Sequence, residues 1–282
     1  IISIMNKDFV NLATPTSHLF KSEVNADSIS EKSDCLELRE FMIGKIDRLK
    51  KNVMLAHLDE VDITLPWNQE RKALITDVIK NYQNLKLVTF HMSCNCTSPV
   101  IDKGVFQPGG KTMVRTEMLD NVRKNIEWLK QLLPENISIA VENNNYYPTE
   151  AYSDVTDSSF IREVVTKNEV NFLFDISHAL VTCFNKNIEY SDYISDLPLE
   201  KTIQIHLCSP GVREDNLAYD LHLLPDSAHI EHALSLANKF SAEYLTVEYY
   251  KNIEKLLSCL DAVRDQINTG LGTKGFNPNC SI

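Results

Sequence analysis

The sequence predicts a (β/α)8 barrel, and two observations predict it. Short apolar runs of the kind that form buried strands alternate with amphipathic helical patterns eight times along 282 residues. The ends of these runs also carry metal-type side chains that must meet in one place. Strands around a barrel mouth converge, whereas strands of an open doubly wound sheet spread apart. The predicted strands are FVNLA (9–13), CLELR (35–39), VMLAHL (53–58), KLVTFHM (86–92), SIAVEN (138–143), NFLFDIS (171–177), TIQIHLC (202–208) and YLTVEYY (244–250). Val, Ile, Leu and Phe dominate them, as in strands covered on both faces.

The segments between the strands read as helices. RKALITDVIKNYQ places Leu74, Ile75, Val78 and Ile79 on one face, and MLDNVRKNIEWLKQLL does the same with Leu119, Val122, Ile126, Leu129 and Leu132. IEHALSLANKF and NIEKLLSCLDAVRDQI are equally periodic, with His229 and His232 read as exposed helix positions. The longest irregular stretch, 94–110, contains Pro99, Pro108 and the pair Gly109-Gly110. It follows the fourth strand on the ligand side and reads as a lid or substrate wall. One barrel domain is expected over 1–268, with a polar, Gly-rich, flexible tail over 269–282.

Composition narrows the function classes. An apolar fraction of 43% is ample for a core, and no apolar run approaches the ~18 residues of a membrane span. A formal net charge of −11 argues against backbone-driven nucleic-acid binding. Only Lys103, Lys111, Arg115, Lys201 and Arg213 are placed near the mouth. The N-terminal segment IISIMNKDFV lacks the basic flank and cleavage site of a secretion signal. The seven cysteines are odd in number and scattered. Both features predict a reducing, cytoplasmic setting with free thiols. Cys94 and Cys96 form a CxC whose role the sequence leaves open.

The chemistry lies in the strand ends. His57, His91, Glu142, Asp175, His178, His206, Asp220, His222 and Glu248 recur in that position and include five of the eight histidines. Nine such side chains are too many for one ion. All are Asp, Glu or His, which suits iron, manganese or zinc. Asp220 and His222 are two apart and share a face in extended chain. Glu142 and Glu248 close apolar runs, where burial without a cation would be costly. Asn143, Asn144 and Tyr146, just beyond Glu142, read as substrate-facing groups.

This ligand set resembles that of the xylose-isomerase-like barrel superfamily, which includes endonuclease IV. Carried over by position, the resemblance implies a first ion on His57, His91 and Glu142. A second would lie on Glu142, Asp175, His206 and Glu248, and a third on His178, Asp220 and His222. The phrases ENNNYYP, FDISHALVTCFN, YISDLPLEKTIQIHLCSPG, DLHLLPD and LTVEYYKNIEKLL, over about 138–262, look like the multinuclear non-heme iron-dependent oxidative enzymes. Many members carry Asn where His178 stands. That resemblance implies two or three iron ions (Fe2+/Fe3+) and dioxygen, with Glu142, Asp175 and His206 as catalytic residues. It implies a cysteine-containing ribosomally made precursor peptide as substrate, and in some members a partner protein that binds the leader. Two alternatives remain at this stage. One is an endonuclease IV-like trinuclear zinc phosphodiesterase acting on abasic DNA. The other is a metal-dependent sugar isomerase or epimerase, in which His178, Asp220 and His222 would have no task.

Overall fold

The structure, a computed structural model, describes residues 10–270. Eight parallel strands close into a barrel: β1 (Asn11–Pro15), β2 (Cys35–Arg39), β3 (Val53–Leu58), β4 (Leu87–His91), β7 (Ser138–Glu142), β8 (Asn171–Asp175), β9 (Thr202–Leu207) and β12 (Tyr244–Val247). β12 pairs with β1 to seal it. Two antiparallel hairpins stand outside the barrel, β5 (Val100–Asp102) with β6 (Val105–Gln107), and β10 (Ser209–Val212) with β11 (Ala218–Leu223). All eight expected strands are present. The first begins two residues later than expected, and residue 9 lies outside the described residues. The stretch 94–110 is not irregular throughout, because it contains the β5–β6 hairpin.

Among the described residues, eight α-helices cover the barrel: α1 (Glu23–Lys32), α2 (Gln69–Asn81), α3 (Arg115–Leu132), α4 (Ser158–Asn168), α5 (Ile176–Lys186), α6 (Tyr190–Asp196), α7 (Ser227–Phe240) and α8 (Ile253–Thr269). Side-chain caps start several of them. Asn68 accepts from the Arg71 amide, Asp226 from His229 and Asn252 from Lys255. Glu169, Asn187 and Ser241 end α4, α5 and α7 in the left-handed conformation. α3 buries Val122, Ile126 and Leu129 as its periodicity predicts, and also Asn125. The Asn125 amide donates to the carbonyls of Ile63 (2.9 Å) and Leu65 (2.8 Å), pinning the loop after β3. Asn125→Ala should therefore lower unfolding free energy by about 1–3 kcal/mol, read from the denaturant midpoint at unchanged m-value.

His229 and His232 are not exposed. They are 7% and 4% accessible, because the apolar face of α7 is wider than the pattern suggested. His229 Nδ1 lies 2.8 Å from Asp226 and His232 Nε2 lies 2.9 Å from the Tyr190 hydroxyl. The six described cysteines are free and buried. Cys280 and the tail beyond Gly270 lie outside the described residues, while Thr269 ends α8. No helix among the described residues is long and apolar enough to cross a membrane.

The barrel interior positions the site. Alternate residues of a strand share a side. A floor of Ala13, Cys35, Leu55, Leu87, Ala140, Leu173, Ile203 and Tyr244, one from each barrel strand, fills one apolar cluster. The polar residues that come together above it are Glu37 and Arg39 on β2, His57 on β3, Thr89 and His91 on β4, and Glu142 on β7. Asp175 on β8, Gln204 and His206 on β9, and Thr246 and Glu248 on and just past β12 complete the set. The barrel is thus apolar below and densely charged at its C-terminal end, where barrels of this kind carry their active sites.

Candidate metal centre

The nine strand-end side chains are distributed over three kinds of element. His57, His91, Glu142, Asp175 and His206 sit on barrel strands, and Glu248 follows β12 directly. Asp175 also caps α5 by accepting from the His178 amide at 2.7 Å, so the helix start carries His178 into the mouth. Asp220 and His222 come from β11 of the hairpin, not from a barrel strand. His222 adopts φ 42°, a left-handed backbone uncommon for a non-glycine residue.

Glu142 is the hub. One carboxylate oxygen is in contact with His91 and lies 3.4 Å from His57 Nε2. The other lies 3.1 Å from His206 Nδ1 and 3.8 Å from His178 Nδ1. His57, His91 and Glu142 bring one donor atom each within 4.8 Å of one another, and so do Glu142, Asp175 and His206. Glu248 lies 3.4 Å from His206 Nδ1 and 3.7 Å from His222 Nε2. Asp220 lies 3.4 Å from His178 Nε2 and 3.2 Å from His222 Nε2.

Three buried imidazoles are each tied on one nitrogen and aimed at the carboxylates with the other. His57 Nδ1 lies 2.7 Å from the Thr89 hydroxyl, which itself donates to the Ala56 carbonyl. His178 Nδ1 donates to the Asn143 carbonyl at 2.8 Å, and His206 Nε2 donates to Glu37 at 3.0 Å. A ligating histidine characteristically spends its second N–H in this way. Both oxygens of Glu142, Oδ2 of Asp175 and Nδ1 of His206 are buried and have no aligned hydrogen bond, although partners lie close. Buried polar atoms are rarely left so. Five carboxylates, Glu37, Glu142, Asp175, Asp220 and Glu248, are buried here with Arg39 as the one buried arginine among them. This donor set fits divalent metal ions.

The electrostatics follow from that crowding. Burial alone would raise the Glu142 carboxyl, but His91, His57, His206 and His178 hold it well below the usual carboxylate range. Burial pushes Asp175 well above its ordinary value, and Glu248, Glu142 and Asp220 add to this against the pull of His178. Burial and the nearby Arg39 charge keep His57 well below an ordinary histidine. Burial would also lower His206 and His178, yet the carboxylates around each raise both well above the usual imidazole.

Three residues of this site escaped the strand-end reading. Glu37 accepts from His206 and Gln204 and pairs with Arg39 at 2.8 Å. Arg39 also contacts Glu248, to which the Tyr250 hydroxyl donates at 3.3 Å. Cys208, two residues past His206, places Sγ 3.4 Å from Asp220 Oδ1. The signal was period-2 alternation: CLELR sets Glu37 and Arg39 on one side, and IQIHLC does the same for Gln204, His206 and Cys208. Glu37→Leu would strip His206 of its acceptor and Arg39 of one partner. An expected loss of about 3–5 kcal/mol, with a smaller loss for Glu37→Gln, can be read from denaturation midpoints.

Of the residues read as substrate-facing, Asn143 and Asn144 are buried and spent on backbone. Asn143 bonds the amide and carbonyl of Asp175 at 2.8 and 2.9 Å, and Asn144 donates to Ser93 O at 2.8 Å. Tyr146 is partly exposed, with the Lys186 ammonium 4.9 Å from its ring centroid. Of the cations placed near the mouth, Lys201 precedes β9 and lies at the opposite barrel end. Arg213 stacks on Tyr219 at 3.9 Å and donates to the Lys103 carbonyl at 3.4 Å, linking the two hairpins. The Cys94 and Cys96 sulfurs lie 3.8 Å apart, buried in a cluster with Tyr147, Tyr152 and Tyr219.

A protein family described as RiPP precursor modification enzyme MbnB/TglH/ChrH matches residues 67–264, a span that holds eight of the nine strand-end residues. The chain belongs to this family. RiPPs are ribosomally made, post-translationally modified peptides. A UPF0276 protein of Nitrosospira multiformis is 27% identical to this RiPP-modifying family member over 84 residues, 30% of each chain. One of Caulobacter sp. is 29% identical over 126 residues, 44% of this chain and 45% of that protein. The chain thus spans less than half of the curated relatives it matches. Among solved structures, a D-allulose 3-epimerase from Methylomonas sp. superposes with a TM-score of 0.55 at 12% identity, covering 92% of this chain and 98% of that one. An L-ribulose 3-epimerase gives 0.54 at 11%, covering 94% and 95%. These likenesses show that the MbnB/TglH/ChrH family member shares the fold of those epimerases, and they speak for the fold alone.

Proposed function

We propose that this protein is a multinuclear non-heme iron enzyme that uses dioxygen to modify a cysteine-containing, ribosomally made precursor peptide. The observation that carries the reading is the Glu142 hub. One carboxylate lies among four imidazoles, three of which turn a free nitrogen toward it, has no aligned hydrogen bond, and lies in a chain of the RiPP-modifying family. His57, His91 and Glu142 would hold one ion, Glu142, Asp175, His206 and Glu248 a second, and His178, Asp220 and His222 a third. When bound, two or three irons would supply the redox capacity that carboxylates and imidazoles lack, with dioxygen as oxidant. Zinc or manganese is the alternative occupant of the same donors.

The chain's own residues then have defined tasks. Glu142, Asp175 and His206 form the centre on which the chemistry depends. Asn143 and Asn144 hold the ligand-bearing backbone, and Tyr146 forms part of the substrate wall. The two hairpins bridged by Arg213 and Lys103 border the mouth and limit access of bulk water. A leader-binding partner protein and a cytoplasmic location belong to the same reading, as does a single barrel domain over 1–268. The test is turnover of a cysteine-containing precursor peptide by the iron-loaded chain in air and under strict anaerobiosis. Product should form only with dioxygen and be lost in His206→Ala. Equal turnover without dioxygen would sink the oxidative reading. Zinc without iron in the purified chain, with cleavage of an abasic-site duplex, would turn it into a hydrolase.

A further inference from the structure

We propose that Cys208 is a metal ligand, giving the Asp220–His222 group a sulfur donor. The inference rests on the multinuclear reading above and adds a residue of a different chemical kind to it. Cys208 follows β9 directly and is fully buried. Strand alternation puts it on the same side as Gln204 and His206, facing the cluster. Its sulfur lies 3.4 Å from Asp220 Oδ1, to which Ser177 also donates at 2.9 Å. Cys208, Asp220 and His222 bring one donor atom each within 4.8 Å of one another.

The neighbouring geometry points the same way. The left-handed backbone of His222 lets its Nε2 stand 3.2 Å from Asp220 Oδ2, while His178 Nε2 approaches that oxygen from α5 at 3.4 Å. Two ligands about 2.0–2.3 Å from one ion, at a tetrahedral angle, lie roughly 3.3–3.7 Å apart. The separations found here are near that range. Asp175 Oδ2, buried and without an aligned hydrogen bond, faces the same group 3.7 Å from His178 Nε2. The Cys208 sulfur, an Asp220 oxygen and a His222 nitrogen supply three donors, with His178 Nε2 beside the same Asp220 carboxylate. Coordination would release the thiol proton to solvent and leave a sulfur–metal bond.

The test uses the full chain, stripped with a chelator and reloaded with cobalt(II). The wild type should show near-ultraviolet thiolate-to-cobalt charge-transfer absorption. A Cys94→Ser, Cys96→Ser double variant should keep it, and Cys208→Ser should lose it. Bound cobalt without the band, or a band that survives in Cys208→Ser, would overturn the assignment. A check that needs no variant is the cadmium-113 spectrum of the wild type. One resonance shifted downfield by sulfur is expected, and a spectrum confined to oxygen and nitrogen ligation would overturn the proposal. A wild-type chain that takes up no cobalt or cadmium would instead overturn the multinuclear reading itself.

Discussion

Replacing Glu142 by Ala should cost the protein more than one equivalent of metal. Its two oxygens face different partners. One serves the His57–His91 side, and the other serves His206 Nδ1. Removing the carboxylate leaves the first group with two neutral donors. It also takes one carboxylate from the second, which keeps Asp175, His206 and Glu248. Losing a ligand should cost far more than the 10–100-fold in affinity typical of losing a residue that merely supports one. Elemental analysis of the purified variant beside the wild type reads the outcome. Glu142→Gln separates charge from bulk, because it fills the same space without the negative charge. Wild-type metal content in Glu142→Ala would refute a shared centre and leave independent sites.

Metal loading should also expel protons, on the order of two to three per chain near neutral pH. His178, His206 and Asp175 all have proton affinities raised well above their ordinary values in the metal-free protein. At pH 7 the two imidazoles hold protons that coordination must displace, and a coordinated Cys208 thiol would release its own. Glu142 and His57 are shifted the opposite way and are already deprotonated, so they contribute none. Falling pH therefore weakens binding, by about tenfold per pH unit for each proton displaced. Titration calorimetry in two buffers of different ionisation enthalpy counts these protons. A buffer-independent heat would show that these groups do not take up metal.

How far the sequence disclosed this site depends on the kind of element involved. A short apolar run ending in His, Glu or Asp is conspicuous, and every barrel strand that ends in this way was legible. His178 and the Asp220–His222 pair were legible as members of the same cluster because they follow such runs closely. Glu37 and Arg39 were not, since an alternating CLELR reads equally well as a strand with one wet face. Only closure of the barrel shows that both sides of β2 are buried. Cys208 was hidden by its chemistry, because a cysteine among apolar residues passes for core. Asn143 and Asn144 looked available for substrate because local sequence cannot reveal which backbone groups a folded loop must satisfy. The hairpins were missed because each is only a few residues per strand and none of those strands joins the barrel.

That last feature divides the centre into two mechanical parts. The candidate ligands on β3, β4, β7, β8 and β9 are locked to one another by the barrel's ladder of parallel pairings. Asp220 and His222 hang from a separate two-stranded arm, held down at Ala218 by the Asn185 side chain of α5 and near Asp220 by the Tyr147 hydroxyl. On the multinuclear reading proposed above, an ion that needs the arm would be lost when the arm lifts, while the frame kept its own. Preparations of one such protein would then hold two ions or three without any change in fold, and occupancy would report the position of the arm.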